Sequence, residues 1–179
     1  NDFSPICTTE IIGLAKADTY FKKINTELIG ISVDSLNSHL AWLYDIYLKT
    51  GLIVNFPIIA DQNGVIARKY GMISNDVSST ETVRNIFIID DKGIIRSIFV
   101  YPMNIGRYIP EILRTVTALQ YSDQNNCMTP ANWSPGNPMI VPPPKTFNAL
   151  RERNESINKN RNGMCWYLSF KNPETKKLE

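Results

Sequence analysis

The sequence predicts an α/β fold in which helices flank a mixed β-sheet, with an extended arm at its C-terminal end. Short apolar runs of strand length alternate with segments whose apolar residues recur at helical spacing. Two of these runs are joined by a Lys-Gly dipeptide, which is typical of a hairpin. After residue 121 the composition shifts toward Pro, Asn and Gly. We therefore expect a core at 1–121, incomplete at its N-terminal side, and a C-terminal dimerisation arm at 122–179.

The first four elements alternate helix and strand. Residues 7–24 carry apolar residues near helical spacing behind two threonines, and they predict a helix. Residues 27–34 form a β-rich run of strand length. A second helix is predicted at 35–50, where Ser35 stands at the capping position. Residues 56–61 are again a short apolar run and predict a strand.

A hairpin and a helix follow. The runs at 85–91 and 94–101 predict two antiparallel strands, because only a two-residue turn separates them. Residues 105–121 predict a helix in which Pro110 is near enough to the start to be tolerated. This order of elements is compatible with a thioredoxin-like core.

The C-terminal part lacks the regular alternation of helices and strands that precedes it. Residues 129–146 predict an ordered, extended arm rather than a third layer. The segment 147–163 is polar and predicts a helix at its start, and 165–170 predicts one short strand. The last residues, 171–179, are expected to be mobile. The apolar side chains expected to pack the arm are Trp133, Met139, Ile140 and Val141.

Composition excludes several classes of function. The net charge of +2 comes from 19 basic and 17 acidic residues without a long basic run, so no nucleic-acid partner is expected. There is no apolar run near the length of a membrane span, so no membrane partner is expected. One histidine, His39, and three widely spaced cysteines form no zinc pattern, and we expect neither metal nor cofactor. Reduced thiols favour a cytoplasmic setting. Residue 1 is not Met and no secretory leader is visible, so we expect the natural chain to start upstream.

Cys7 is the residue whose position suggests chemistry. A thiolate in the first turn of a helix faces unsatisfied N–H groups and the positive end of the helix dipole, which lowers the pKa of a thiol. Pro5 extends the preceding backbone, and Ser4 stands where its hydroxyl reaches the sulfur. The alternative is that Cys7 is only a small buried hydrophobe at a helix start.

The segment DFSPICTTE, residues 2–10, resembles the active-site segment of the peroxiredoxins. Their pattern P-x-x-x-[T/S]-x-x-C aligns Ser4 and Cys7, and its proline would precede Asn1. Residues 129–144 resemble the C-terminal arm of the one-cysteine-like subgroup, which includes long-tailed archaeal and bacterial members. The further segments that agree in order and spacing are 31–42, 56–61, 82–90, 94–107 and 111–120.

The resemblance implies a thiol-dependent peroxidase, an antioxidant enzyme that reduces hydrogen peroxide and organic hydroperoxides. Cys7 would attack the peroxide and become a sulfenic acid. Arg84 matches the pocket arginine of the family, and Ser4 stands where the family more often has Thr. Glu10 and Arg107 match residues that orient this arginine. The alternative for these two residues is an ordinary helix carboxylate and a loop cation.

The resemblance leaves the reducing step open. Cys165 lies where some long-tailed relatives carry a resolving cysteine, and Cys127 is a second candidate. If neither cysteine resolves the sulfenic acid, an external thiol does, and a thioredoxin-like protein is one such reductant. Relatives form homodimers or larger rings, so we expect at least a dimer. The pocket histidine of the family lies upstream of Asn1, and His39 is expected to hold a loop near Trp42 instead.

A second hypothesis is a non-catalytic peroxide sensor or a chaperone-like oligomer. The apolar arm and the serine at the usual threonine position motivate it. A chaperone-like role would survive loss of Cys7, whereas peroxide turnover would not.

Overall fold

The computed structural model describes residues 1–73 and 84–172, which fall into two units, Asn1–Leu113 and Arg114–Glu179. The division between the units lies within a helix, Ile109–Asn125. The boundary after residue 121 that composition predicts stays a prediction. Among the helices in the described ranges, none is long and apolar enough to cross a membrane.

Four predicted elements open the first unit. They are α1 (Pro5–Lys23), β1 (Gly30–Ser32), α2 (Leu36–Thr50) and β2 (Ile58–Ala60). Helix α1 begins two residues before its predicted start, because the fixed φ of Pro5 suits the first helical position and its missing N–H is not needed there. The two strands are shorter than predicted and pair in parallel over three residue pairs.

The ends of α2 follow the capping signals in the sequence. The Ser35 hydroxyl accepts a hydrogen bond from the Ser38 N–H at 3.2 Å, which satisfies one free donor at the helix start. At the other end Gly51 adopts a left-handed backbone with φ of 70° and donates its N–H to the Tyr47 carbonyl at 2.7 Å. Helix α2 is therefore fixed at both ends by local contacts.

A short helix, α3 (Val65–Lys69), was not predicted. It is too short to show helical periodicity, and it is held by the Asp61 carboxylate, which accepts from the N–H groups of Ile66 at 3.2 Å and Ala67 at 2.7 Å. Burial raises the pKa of Asp61, but these backbone hydrogen bonds outweigh it and hold the pKa below its usual value.

The predicted hairpin is confirmed as β3 (Arg84–Ile89) and β4 (Ile95–Tyr101), which pair antiparallel, but five residues, 90–94, separate the strands instead of the predicted two. The turn is closed by Asp90, whose Oδ1 accepts from the N–H groups of Lys92 at 3.0 Å and Ile94 at 2.9 Å. These strands form the second pair of strands in the first unit.

Helix α4 (Ile109–Asn125) begins and ends four residues later than predicted. A start at residue 105 would place Pro110 inside the helix, where its ring collides with an earlier carbonyl and a backbone hydrogen bond is lost. The observed start leaves Pro110 at the second helical position, where a proline is tolerated. The chain turns over residues 102–105 instead, where the Ile105 N–H donates to the Pro102 carbonyl at 3.1 Å, and residues 106–108 are irregular.

The arm of the second unit, predicted to be extended, is interrupted by two turns, which the Trp133 N–H closes on the Pro130 carbonyl and the Asn137 N–H closes on the Ser134 carbonyl. It also contains the short strand β5 (Met139–Ile140). Trp133 is 1% exposed and Met139 is fully buried, so the arm has its own apolar centre. Helix α5 (Phe147–Asn160) starts at the predicted place and is capped by Thr146, whose hydroxyl accepts from Ala149 at 3.2 Å.

The prediction of one strand at 165–170 is wrong. The chain forms two strands there, β6 (Gly163–Cys165) and β7 (Leu168–Lys171), which reverse at Trp166 and Tyr167. The reversal lets β7 pair with both β5 and β6, so both of its edges are hydrogen-bonded. Lys171 belongs to β7, so the predicted mobile tail does not begin there; residues 173–179 of that prediction lie outside the described residues.

Candidate active site

The Cys7 sulfur is the centre of a polar cluster in the first unit. Cys7 is the third residue of α1 and is half-buried. Both terminal nitrogens of Arg84 donate toward the sulfur, each at 3.7 Å. The α-ammonium of Asn1 lies 3.5 Å from it. The Arg84 guanidinium thus faces the sulfur with two of its donors.

Arg84 is held in place by contacts other than the sulfur. It is the first residue of β3 and only 5% exposed. Its Nη1 donates to Glu10 Oε2 at 2.6 Å, and its Nη2 donates to the Met103 carbonyl at 3.3 Å. A guanidinium is planar with donors in a fixed arrangement, so these two contacts fix the direction of the donors that face Cys7.

Glu10 connects two arginines. It lies three residues after Cys7 on the same face of α1 and is 5% exposed. Its Oε2 also accepts from Arg107 Nη1 at 2.6 Å, and its Oε1 accepts from the Arg107 N–H at 2.8 Å. Arg107 Nη2 donates to the Asn85 carbonyl at 3.0 Å. Two cations and one carboxylate leave one positive charge, which a thiolate at Cys7 neutralises.

Ser4 completes the surroundings of the sulfur. It is the N-cap residue of α1 with extended backbone, but within the described part of the chain its side chain makes no capping bond. Its hydroxyl hydrogen-bonds Cys7 instead. Burial raises the pKa of the Cys7 thiol, but the hydrogen bond with Ser4, the Asn1 ammonium and the hydrogen bond from Arg84 outweigh it, and the pKa is lowered. The contributions of Ser4 and Arg84 do not depend on a free α-amino group.

Five predicted site residues therefore come together: Ser4, Cys7, Glu10, Arg84 and Arg107. Residues 82 and 83, which belong to the segment that aligned Arg84, lie outside the described residues.

The two other cysteines belong to the second unit. Cys127 is 5% exposed, whereas Cys165 is half-buried at the end of β6. A hydrogen bond with Cys165 raises the pKa of the Tyr167 hydroxyl. Across the described residues all three cysteines are free thiols.

Two partners near the site, the Met103 carbonyl and the Asp2 carboxylate, were not foreseen from the sequence. The Met103 carbonyl is a backbone group and leaves no sequence signal. His39 is 2% exposed, and its Nδ1 lies 2.9 Å from both carboxylate oxygens of Asp2, five residues before the cysteine. The other ring nitrogen lies 3.4 Å from the Ile59 carbonyl. His39 thus holds the segment that leads to Cys7, in line with the expectation that it fixes a loop.

This combination of fold and site defines a class of protein. A thiol at the start of a helix, with a lowered pKa and a buried arginine directed at its sulfur, is equipped for nucleophilic attack. In a thioredoxin-like α/β fold, such a site defines a thiol-dependent oxidoreductase.

Comparison with known proteins shows to which family of thiol-dependent oxidoreductases the chain belongs. The profile of the AhpC/TSA family matches residues 1–98, and that of the C-terminal domain of 1-Cys peroxiredoxin matches residues 118–156. Peroxiredoxin 2 of Caldanaerobacter subterraneus subsp. tengcongensis is 50% identical over 172 residues, which cover 95% of this chain and 76% of that protein. The chain belongs to the AhpC/TSA family of peroxiredoxins, and it is a thiol-dependent peroxidase.

Solved structures agree with this assignment. Yeast mitochondrial 1-Cys peroxiredoxin superposes with a TM-score of 0.80 at 36% identity, over 96% of this chain and 82% of that one. A cysteine-to-serine mutant of peroxiredoxin 6 from Arenicola marina superposes with a TM-score of 0.81 at 30% identity, over 98% of this chain and 83% of that one. The thioredoxin-like fold expected from the sequence is thereby confirmed.

Proposed function

We propose that Cys7 is the peroxidatic cysteine of this enzyme. Its thiolate attacks the distal oxygen of a hydroperoxide; a sulfur–oxygen bond forms and the O–O bond breaks. The sulfur keeps the distal hydroxyl and becomes a sulfenic acid, and the departing oxygen takes a proton to become water or an alcohol. The observation that carries this proposal is the pair of Arg84 nitrogens, each 3.7 Å from the sulfur.

Arg84 acts on the charge that moves during the reaction. Negative charge passes from the sulfur to the departing oxygen. A guanidinium has several N–H donors, so it stabilises charge at both atoms without a large movement. Glu10 and Arg107 keep it in place, since the carboxylate is bonded to both guanidinium groups at 2.6 Å. Their role is to position Arg84 rather than to touch the peroxide.

Ser4 donates a hydrogen bond to the bound peroxide or to the sulfur. Serine lacks the methyl group that restricts the rotamer of threonine, so the chain must hold its hydroxyl by other contacts. Both hydrogen peroxide and organic hydroperoxides present the O–O group on which this chemistry acts.

The test replaces each cysteine in turn. Cys7→Ser is expected to abolish peroxide consumption in the presence of a thiol reductant, while Cys127→Ser and Cys165→Ser leave oxidation of Cys7 intact. A sulfenic-acid trap followed by peptide mass spectrometry locates the oxidised sulfur. Peroxide consumption that persists in Cys7→Ser would overturn the assignment of Cys7.

Cys165 is the better placed of the two candidate resolving thiols. It is half-buried next to an exposed turn, in which Tyr167 is 58% exposed, whereas Cys127 is only 5% exposed. Thiol–disulfide exchange requires access to the attacking sulfur, so accessibility favours Cys165. Disulfide mapping after one equivalent of hydrogen peroxide decides between a Cys7–Cys165 link and reduction by an external thiol.

The external reductant we propose is a small thiol or a thioredoxin-like protein. The related yeast mitochondrial peroxiredoxin is described as resolving its thiol through glutathione and thioredoxin systems. Such reductants keep cysteines reduced in the cytosol, so a cytoplasmic location accompanies this proposal.

We also propose a homodimer, or a larger ring, that involves strand β4. Its side chains Ile98 and Val100 are 51% and 68% exposed, which is unusual for neighbouring apolar residues on a lone chain. Val100→Lys is expected to lower the sedimentation coefficient, whereas Tyr44→Lys, at a residue of α2 that is 61% exposed, is the matched control. An unchanged oligomer in Val100→Lys contradicts the use of this strand.

A further inference from the structure

Helix α2 contacts the turn that carries Cys7 through two side chains outside the reaction proposed above. The Trp42 indole is 4% exposed, and its Nε1 donates to Thr8 Oγ1 at 3.1 Å. Thr8 Oγ1 donates in turn to the Ser4 carbonyl at 2.7 Å. The Thr8 N–H donates to the same carbonyl at 2.9 Å. Trp42, Thr8 and Ser4 thus form a chain of hydrogen bonds that ends at the backbone beside the cysteine.

The Ser4 hydroxyl has two competing partners. A serine at the N-cap normally accepts from the N–H of the second or third helical residue, and the third helical residue of α1 is Cys7 itself. In this structure the hydroxyl bonds the Cys7 side chain and makes no capping bond among the described residues. The orientation of Ser4 therefore decides whether the hydroxyl serves the helix or the sulfur.

A second contact from α2 holds the same segment on its other side. His39 precedes Trp42 by three residues and lies on the same face of the helix. It bonds the Asp2 carboxylate at 2.9 Å, and the Asp2 N–H donates to Asp34 Oδ2 at 3.0 Å. Ser4 thus lies, along the chain, between two residues that α2 contacts: Asp2, through His39, and Thr8, through Trp42.

We propose that Thr8 and Trp42 are positioning residues that keep the Ser4 hydroxyl on the Cys7 sulfur and away from the helix N–H groups. The hydroxyl of Thr8 restricts the Ser4 backbone, and the indole N–H of Trp42 orients the Thr8 hydroxyl toward the Ser4 carbonyl. This inference rests on the proposed role of Cys7, and it explains how a serine performs at a position where its rotamer is otherwise free.

The test measures how fast Cys7 is alkylated by iodoacetamide as a function of pH, with the modified peptide identified by mass spectrometry in the full chain. Alkylation follows the thiolate, so its pH profile reports the hydrogen bonding of the sulfur and not merely the stability of the fold. The variants are Thr8→Val, which removes the hydroxyl with little change in shape, and Trp42→Phe, which removes the indole N–H together with part of a buried ring. Thr8→Ser restores the hydroxyl and is the rescue variant.

Thr9→Val is the matched control. Thr9 lies on the same helical turn and its hydroxyl also bonds a backbone carbonyl, that of Ile6 at 2.7 Å, but its side chain is exposed. Thr8→Val and Thr9→Val both remove a threonine hydroxyl from this turn. Only Thr8→Val also removes the hydrogen bond with Trp42.

We expect alkylation at about pH 6 to slow by about threefold to tenfold in Thr8→Val and Trp42→Phe, the order of one hydrogen bond. Thr8→Ser and Thr9→Val should remain within about twofold of the unmodified chain. The double variant Thr8→Val/Trp42→Phe should be no slower than the slower single variant, because both break one chain of bonds.

The inference is overturned if the pH profile is unchanged in Trp42→Phe, or if Thr9→Val shifts it as far as Thr8→Val does. Should Thr8→Val unfold, Trp42→Phe decides the question alone. The proposed function fails on a separate measurement, which is peroxide consumption in Cys7→Ser. The two failures are therefore distinguishable.

Discussion

Replacing Arg84 by lysine separates the geometry of the guanidinium from its charge. Arg84 uses two terminal nitrogens, which together serve Glu10, the Met103 carbonyl and the Cys7 sulfur. Lysine carries the same charge on one nitrogen, so it does not reproduce this set of directions. Glu10 keeps its two bonds from Arg107, at 2.6 and 2.8 Å, and is not left unpaired. We therefore expect Arg84→Lys to fold.

The expected loss is about a hundredfold in the second-order rate constant for hydrogen peroxide. Removing one preorganised donor from a developing negative charge costs roughly a hundredfold to a thousandfold in other enzymes, or about 3 to 4 kcal/mol. Cys7 is half-buried, so water replaces part of the lost stabilisation, and the lower end applies. The unfolding free energy should fall by about 1–3 kcal/mol, the cost of the lost hydrogen bonds.

The assay is rapid mixing with hydrogen peroxide, acid quench and mass spectrometry of the Cys7 peptide, accompanied by urea unfolding. Arg153→Lys is the matched control, because Arg153 Nη1 donates to the Pro142 carbonyl at 2.6 Å in the second unit. We expect that control to react within about twofold of the unmodified chain. If folded Arg84→Lys reacts within about threefold as well, the argument that two directed nitrogens are needed is wrong.

Three further predictions concern the supporting structure. Glu10→Gln leaves the buried Arg84 and the partly buried Arg107 without their carboxylate, so urea unfolding should show a loss of about 3–5 kcal/mol. The exposed Glu155→Gln should lose less than about 0.5 kcal/mol, and equal losses would contradict this. Backbone hydrogen bonds lower the pKa of Asp61 in the folded chain, so its stabilisation is fully present above the unfolded pKa of about 4 and is lost as pH falls through the folded pKa. The difference in unfolding free energy between the unmodified chain and Asp61→Ala should accordingly shrink between about pH 5 and pH 2, and a constant difference would refute the reasoning. In Gly163→Ala the added Cβ would lie 2.7 Å from the Leu168 carbonyl oxygen, so the β6–β7 hairpin should become sensitive to proteolysis, unlike Gly106→Ala, where the nearest atom is 3.6 Å away.

Secondary structure was predicted correctly from the sequence where residues near one another in the chain determine it. The Ser35 cap, the hairpin predicted at 85–91 and 94–101, and the start of the helix at residue 147 depend on residues close together in the chain. The errors arose where contacts between residues far apart in the sequence determine the secondary structure. Strand β7 exists as half of a hairpin because β5 and β6 pair with its two edges, and nothing within residues 165–170 indicates this.

The five site residues were named from sequence because of the peroxiredoxin resemblance, and the structure places them around one sulfur. The contacts of Met103, Thr8 and Trp42 were not foreseen, because a carbonyl group and a buried indole have no distinctive pattern in one sequence.

The sequence by itself determined the alternation of helices and strands, the family, and the presence of a cysteine at a helix start. These depend on apolar periodicity, on capping residues and on a short motif, all of which are local. Only the tertiary structure decided that Arg84, 77 residues from Cys7, directs both terminal nitrogens at the sulfur, and that the Ser4 hydroxyl bonds the thiol rather than the helix. The physical reason is that the acidity of a thiol depends on distances of a few ångströms, which packing sets and residue spacing does not.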